Sequence, residues 1–312
     1  MIIQDMNLPE LASTVTAAKL NGATNLTDLG IIRVAGDDAA KFLQGQLTQD
    51  VVLMKPGESR LAALCNPKGR MLASFWALKR AEDEILLICR KDLLARTLKR
   101  LSMFVLRAKA KLSDASDEFS LHGLVGESAL RSVALPQGAF LCPLVTADGT
   151  ARALRVAPID APPPSVPELK PELWNWAEVR SGVAMVSLPV IEAFVPQMLN
   201  YETLGGVNFK KGCYPGQEVV ARSQFRGAIK RRAFVAQVNG AAEAGQEIFS
   251  AADPEQPCGI VALAAPAPDG GTAVIASLQL SALEGVETLT VGAPDGPTLK
   301  DWNIPYELLE DV

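Results

Sequence analysis

The sequence predicts an α+β fold that ends in a small antiparallel β-barrel. Strand-like and helix-like stretches mix in its first two thirds without the strict alternation of a doubly wound sheet. Its last eighty residues change to short strands broken by Gly and Pro: Ala233–Val238, Gln246–Phe249, Gly259–Ala264, Thr272–Leu278 and Glu287–Val291. At about 150 residues per domain, 312 residues suggest two domains.

The elements follow in order. Leu29–Val34 reads as a short strand, and Gly36-Asp37-Asp38 as the cap of a helix that puts Ala39, Phe42, Leu43 and Leu47 on one face. Arg60–Cys65 and Arg70–Leu78 alternate as strands, joined by the hairpin signal Asn66-Pro67-Lys68-Gly69. Ile85–Cys89 is a further strand, and Lys91–Phe104 is helical, with Leu93, Leu94, Leu98 and Leu101 on its apolar side. Pro158 to Pro171 holds six prolines and predicts a stiff connector. Glu172–Ser181 reads as a helix with Gly182 just past its end.

Composition narrows the function. Hydrophobic residues make up 48% and charged residues 21% of the chain, the balance of a globular protein with a sizeable core. No apolar run approaches the roughly 20 residues that span a bilayer, and Met1–Glu10 lacks the basic start and apolar stretch of a signal peptide. A cytoplasmic protein is expected. The five cysteines, Cys65, Cys89, Cys142, Cys213 and Cys258, are scattered and form no Cys-x-x-Cys pair, which argues against a disulfide framework or a self-contained metal site. The single histidine, His122, sits in a strand-like run and reads as structural.

The net charge of −5 argues against a general nucleic-acid binder, yet it is unevenly spread. Lys210, Lys211, Arg222, Arg226, Lys230, Arg231 and Arg232 are opposed in their window by Glu218 alone. Such a basic island either concentrates an anionic ligand or forms a solvated face.

Within that island lies the most informative stretch. Gly205-Gly206 and Gly212 let the backbone turn sharply or approach a ligand. Cys213 follows Lys211 and precedes Tyr214-Pro215-Gly216, after which Gln217–Ser223 reads as a helix with Glu218 and Arg222 one turn apart. Lysines and a helix N-terminus near a thiol would stabilise a thiolate, fit for nucleophilic attack, redox sensing or transient metal ligation. A small buried cysteine in a tight turn fits the same local pattern.

Lys211-Gly-Cys-Tyr-Pro-Gly-Gln-Glu218 resembles the signature of the YgfZ group, folate-binding relatives of the glycine-cleavage T-protein. The flanks agree in Pro196-Gln197, Leu204-Gly-Gly206, Phe209-Lys210, Val220-Ala-Arg222 and Phe225-Arg-Gly227. So do Gly36 and Phe42-Leu-Gln-Gly-Gln-Leu-Thr-Gln-Asp50 near the start, and Asn66–Gly69. The resemblance weakens between about Ser113 and Pro171. It implies an aminomethyltransferase-like folate-binding fold, with α/β subdomains arranged in a ring before the C-terminal barrel. The boundaries expected are 1–228 for the folate-binding region, with interleaved subdomains split near 50 and 112, and 229–312 for the barrel.

The resemblance also implies a tetrahydrofolate or another reduced folate as cofactor, held beside Trp174. A second family tryptophan falls on Leu29 and is absent; without the family, Trp174 and Trp176 would be ordinary packing residues. Arg222 and Gln197 join the implied folate contacts, and Cys213, Lys211 and Tyr214 are the implied working residues. No resident metal is implied. The implied role is support of iron–sulfur client proteins, including enzymes that thiolate tRNA, so that tRNA is an indirect partner. The related aminomethyltransferases carry an acidic pair where this chain has Ala73-Ser74, and neither residue can act as a carboxylate. Three readings therefore stand: a folate-binding accessory factor, a folate-dependent one-carbon transferase, and an RNA-binding module using the basic island.

Overall fold

The computed structural model describes residues 20–145, 149–225, 229–284 and 288–309. Met1–Glu10, Arg226, Gly227 and Glu287 lie outside the described residues. The chain builds two open antiparallel sheets and one closed barrel.

The first sheet has the order β3-β4-β5-β2-β6, from β2 (Leu29–Ala35), β3 (Ser59–Cys65), β4 (Met71–Ala81), β5 (Glu84–Arg90) and β6 (Lys111–Asp114). Asn66–Gly69 closes the β3–β4 hairpin as its turn chemistry predicts, with Gly69 at φ +72°. Helix α2 (Lys91–Ser102) buries Leu93, Leu94, Thr97 and Leu101. Helix α1 (Ala39–Gln44) is shorter than its apolar spacing predicts. Leu47 leaves the helix and forms an isolated bridge to Leu64, and Asp38 makes no capping hydrogen bond: its carboxylate accepts the backbone N–H of Lys109 at 2.8 Å.

The second sheet has the order β1-β7-β9-β8. β1 (Gly22–Asn25) comes from the start of the described chain, and β7 (Phe119–Val125), β8 (Phe140–Pro143) and β9 (Arg152–Pro158) from its middle. His122 lies in β7. A short helix α3 (Glu127–Ser132) links β7 to β8, and the proline connector runs from β9 to α4 (Pro171–Arg180). Pro171 opens α4, and Gly182 past its end takes φ +69°.

The barrel closes in the order β10-β13-β12-β11-β14-β15. Its strands are β10 (Arg231–Val238), β11 (Glu247–Ser250), β12 (Asp253–Pro266), β13 (Thr272–Gln279), β14 (Leu289–Val291) and β15 (Thr298–Asn303). β15 closes the barrel by pairing with both β10 and β14; its polar sequence Thr-Leu-Lys-Asp-Trp-Asn gives no strand signal. Along β10 the side chains alternate. Phe234 and Val238 fill the barrel interior, and Ala233 packs outward into the core shared with the two sheets. At that seam Glu202 pairs with Arg232, both buried. Among the described residues no helix is long and apolar enough to cross a membrane.

Candidate functional site

Three sequence-distant motifs converge. The first contact is Lys211, 7% exposed, whose ammonium donates to the carbonyls of Gln44, the last residue of α1, and of Leu47 beyond it, and lies 4.7 Å from the Tyr214 ring centroid. Its pKa is pushed down to about 8, chiefly by burial, which the charges of Asp50 and Cys213 partly oppose. Around it Phe42–Asp50 and Gly205–Lys211 are laced together. Thr48 donates its hydroxyl to the Gly206 carbonyl at 2.6 Å, Gln49 donates to Gly205 at 2.6 Å, and the Asn208 N–H donates to Thr48.

The second contact joins the hairpin to the cysteine motif. The side chain of Asn66 accepts the N–H groups of Lys68 and Arg70 and donates to Glu192 at 3.1 Å. Gly216 lies directly against this turn, and Val219 at the start of α5 (Gln217–Phe225) covers Gly69. Gln197, buried, donates to the Val220 carbonyl at 2.7 Å and so fastens α5 from beneath; its Oε1 has no partner.

Cys213 stands at the surface of this assembly, and the other four cysteines are buried. Burial pushes Cys65 and Cys89 up to about 12 and Cys142 to about 11, and raises Cys258. Lys211 is hydrogen-bonded to carbonyl oxygens and faces into the fold, within electrostatic reach of Cys213. The basic island is not one cationic face either. Lys211 and Arg232 are inside, and Arg222 pairs with Glu218 on the exposed side of α5, as the one-turn spacing predicts.

Leu29 and Trp174 meet elsewhere. They line one cavity of about 120 Å³ together with Asp28, Arg90, Asn175, Glu178, Met185 and the barrel residues Leu263 and Ala264. The cavity lies where the first sheet, α4 and the barrel meet: Leu29 and Arg90 come from neighbouring strands of that sheet, Trp174 from α4, and Leu263 from β12. Trp174 is 3% exposed. Its benzo ring lies against Gly123, where a Cβ would come within 2.5 Å of it, and the Arg152 guanidinium stands 5.4 Å from its centroid. Arg152 is in turn held by Glu178 at 2.6 Å. The indole is therefore a fixed wall of the cavity.

Of the seven residues singled out from sequence, Leu29 and Trp174 line this cavity. Cys213, Lys211, Tyr214, Gln197 and Arg222 do not. Asn175 and Glu178 lie on the same short helix as Trp174 and Asp28 beside Leu29, so the positions of those two residues could have pointed to them. Arg90, Met185 and the two barrel residues carry no local signal. Among the described residues no three His, Cys, Asp or Glu side chains gather as a metal site.

The architecture is that of the aminomethyltransferases. Residues 8–135 match the GCVT N-terminal domain. The fold superposes on the glycine cleavage system aminomethyltransferase T of Bartonella henselae with a TM-score of 0.64, covering 91% of this chain and 85% of that one at 14% identity. Within that fold the chain belongs to the YgfZ family. It is 30% identical to the tRNA-modifying protein YgfZ of Enterobacter sp. (strain 638) over 92% of this chain and 93% of that one. It is 32% identical to the protein of the same name from Klebsiella pneumoniae (strain 342), over 66% and 68%. An uncharacterized protein of Haemophilus influenzae matches at 33% over 72% and 77%.

Proposed function

We propose that this protein is a folate-binding accessory factor for tRNA modification that supports iron–sulfur client enzymes in the cytoplasm, with the tRNA reached through those enzymes. The observation that carries the reading is the cavity shared by Leu29 and Trp174. Its walls suit the ring of a reduced folate. Trp174 supplies a flat side, Leu29, Met185 and Leu263 supply apolar contact, and Asp28, Glu178 and Asn175 supply acceptors for ring N–H and amino groups. At about 120 Å³ it is smaller than the ~300–1,000 Å³ of a site that encloses a whole drug-sized ligand, so it takes the ring and leaves the tail outside. Gln197 and Arg222, which do not line the cavity, are left to meet that tail. A bound reduced folate would bring one-carbon acceptor chemistry to the junction.

Aminomethyl transfer by the chain itself is disfavoured by what stands in place of the acidic pair. Ala73 and Ser74 are buried, and the Ser74 hydroxyl accepts the Val186 N–H at 2.8 Å. Neither a methyl group nor a serine hydroxyl can take the part of a carboxylate acid or base. The working surface assigned to the client is the motif around Cys213, held in shape by Lys211 and Tyr214. Titration of intrinsic tryptophan fluorescence with tetrahydrofolate tests the proposal. Saturation in the micromolar range, about −8 kcal/mol, is expected, with a weaker response in Trp174→Phe. No saturable change up to the solubility of any reduced folate would overturn it.

A further inference from the structure

The outer face of the second sheet, opposite the one that carries Trp174, holds a cluster of buried polar atoms that neither the cavity nor the cysteine motif uses. Arg155 on β9 is 1% exposed. One of its nitrogens, Nη2, donates to the carbonyl of Pro162 in the proline connector at 2.9 Å, and its Nε and Nη1 are buried without a partner. Among the described residues no carboxylate forms an ion pair with it.

His122 lies directly opposite Arg155 in the antiparallel β7–β9 pair, so the two side chains rise from the same face as neighbours. The Nδ1 of His122 is buried and unpartnered. Ser120, two residues back along β7, shares that face, and its Oγ is likewise unpartnered. Burial, and secondarily the charge of Arg155, holds the His122 imidazolium below its ordinary pKa, so the ring is neutral near pH 7 with one N–H to give. His122 and Ser120 are half-buried, and Asn25, opposite His122 in β1, is exposed, so the cluster has an edge at solvent.

We infer that Arg155, His122 and Ser120 form a binding site for a small, singly charged anion beneath the proline connector. Each partner can donate: the guanidinium from two free nitrogens, the imidazole from Nδ1, the hydroxyl from Oγ. A single formal cation sets the charge of the ligand, because a dianion would leave an uncompensated charge in the same buried place. The connector is tied over the site by its Pro162 carbonyl, so occupancy would fasten that segment to the sheet. A halide and a small carboxylate share this chemistry.

The test is thermal unfolding of the full chain in sodium bromide or sodium formate, with ionic strength held constant by sodium gluconate, whose anion is too large for the site. A midpoint that rises saturably with either salt is expected, following mass action on the folded state. A bromide response identifies a halide site, and a formate response alone identifies a carboxylate site. In the Ser120→Ala/His122→Ala double variant the apparent affinity should fall by about a hundredfold or more, because two donors to a charged ligand are gone. Arg155→Leu should abolish the response; the double variant decides if that protein does not fold. Anomalous diffraction from a bromide-soaked crystal should place a peak within hydrogen-bonding reach of Arg155. Absence of a saturable response to both salts, an unchanged response in the double variant, or a bromide response without a bromide peak at Arg155 would each refute the site and leave the orphaned donors to water.

Discussion

Gly216 presses its α-carbon onto the turn made by Asn66: a Cβ there would lie 2.4 Å from the Asn66 carbonyl oxygen and 2.7 Å from the α-carbon of Gly69. Its φ of +83° is also one that side chains resist. Gly216→Ala should therefore destabilise the protein by about 2 kcal/mol or more, because the obstructing atoms are backbone and cannot rotate away. Urea unfolding would show a lower midpoint with an unchanged slope. An unaltered midpoint would mean that the hairpin and the cysteine motif are not packed as described.

Gly123 makes the comparable contact on the cavity wall. Gly123→Ala puts a methyl group into the Trp174 indole, and overpacking of this kind costs about 1–3 kcal/mol. The displaced ring should shift the tryptophan emission and weaken tetrahydrofolate binding together. Loss of stability with full folate affinity would detach Trp174 from the ligand.

Lys211 carries a pH signature. Its folded-state pKa, about 8, lies below the ordinary lysine value of 10.5, so the unfolded chain holds the proton more tightly between those limits. Stability contributed by this residue should accordingly rise with pH from about 8 to about 10.5, as the cost of burying the ammonium is relieved. The comparison is urea unfolding of the parent and Lys211→Met at pH 7.5 and pH 9.5. The difference should move in favour of the parent at the higher pH, and a constant difference would contradict the buried placement.

Cys213 should react with iodoacetamide well before the other four thiols near neutral pH. It is exposed, whereas burial both shields the others and raises their pKa values. Mass spectrometry of the partly alkylated protein reads this directly. Cys213→Ala should fold normally and fail to rescue an iron–sulfur-deficient strain lacking its own homologue. Full rescue would reduce the residue to a surface position.

Ser74→Asp should restore no aminomethyltransferase activity and should unfold the protein readily, since it would bury a carboxylate where a hydroxyl now holds the Val186 N–H. Ser74→Ala should cost about 1–3 kcal/mol through that N–H alone. Product formation from an aminomethyl-loaded carrier protein would overturn the first expectation, and unchanged stability of Ser74→Ala the second.

Much of this fold is legible locally. The Asn66–Gly69 turn, the apolar side of α2, the Gly182 terminus of α4 and the Glu218–Arg222 pair on α5 all depend on residues within a few positions of one another, and the periodicity of side chains along a strand or helix reports them directly. The barrel was visible in strands such as Thr272–Gln279 and not in β15, whose polar residues become a strand because β10 and β14 offer it two edges to close. The same division runs through the candidate site. The amino-acid sequence by itself determined the family, the motif around Cys213 and the missing acidic pair at Ala73-Ser74. The tertiary structure alone decided that Lys211 turns inward to the end of α1, that Leu29 and Trp174 share a cavity from which the cysteine motif is absent, and that Arg155 faces His122 under the connector. These relationships are set by strand register and by the packing of sheets against the barrel, and contacts between residues far apart in the chain leave no periodic trace along it.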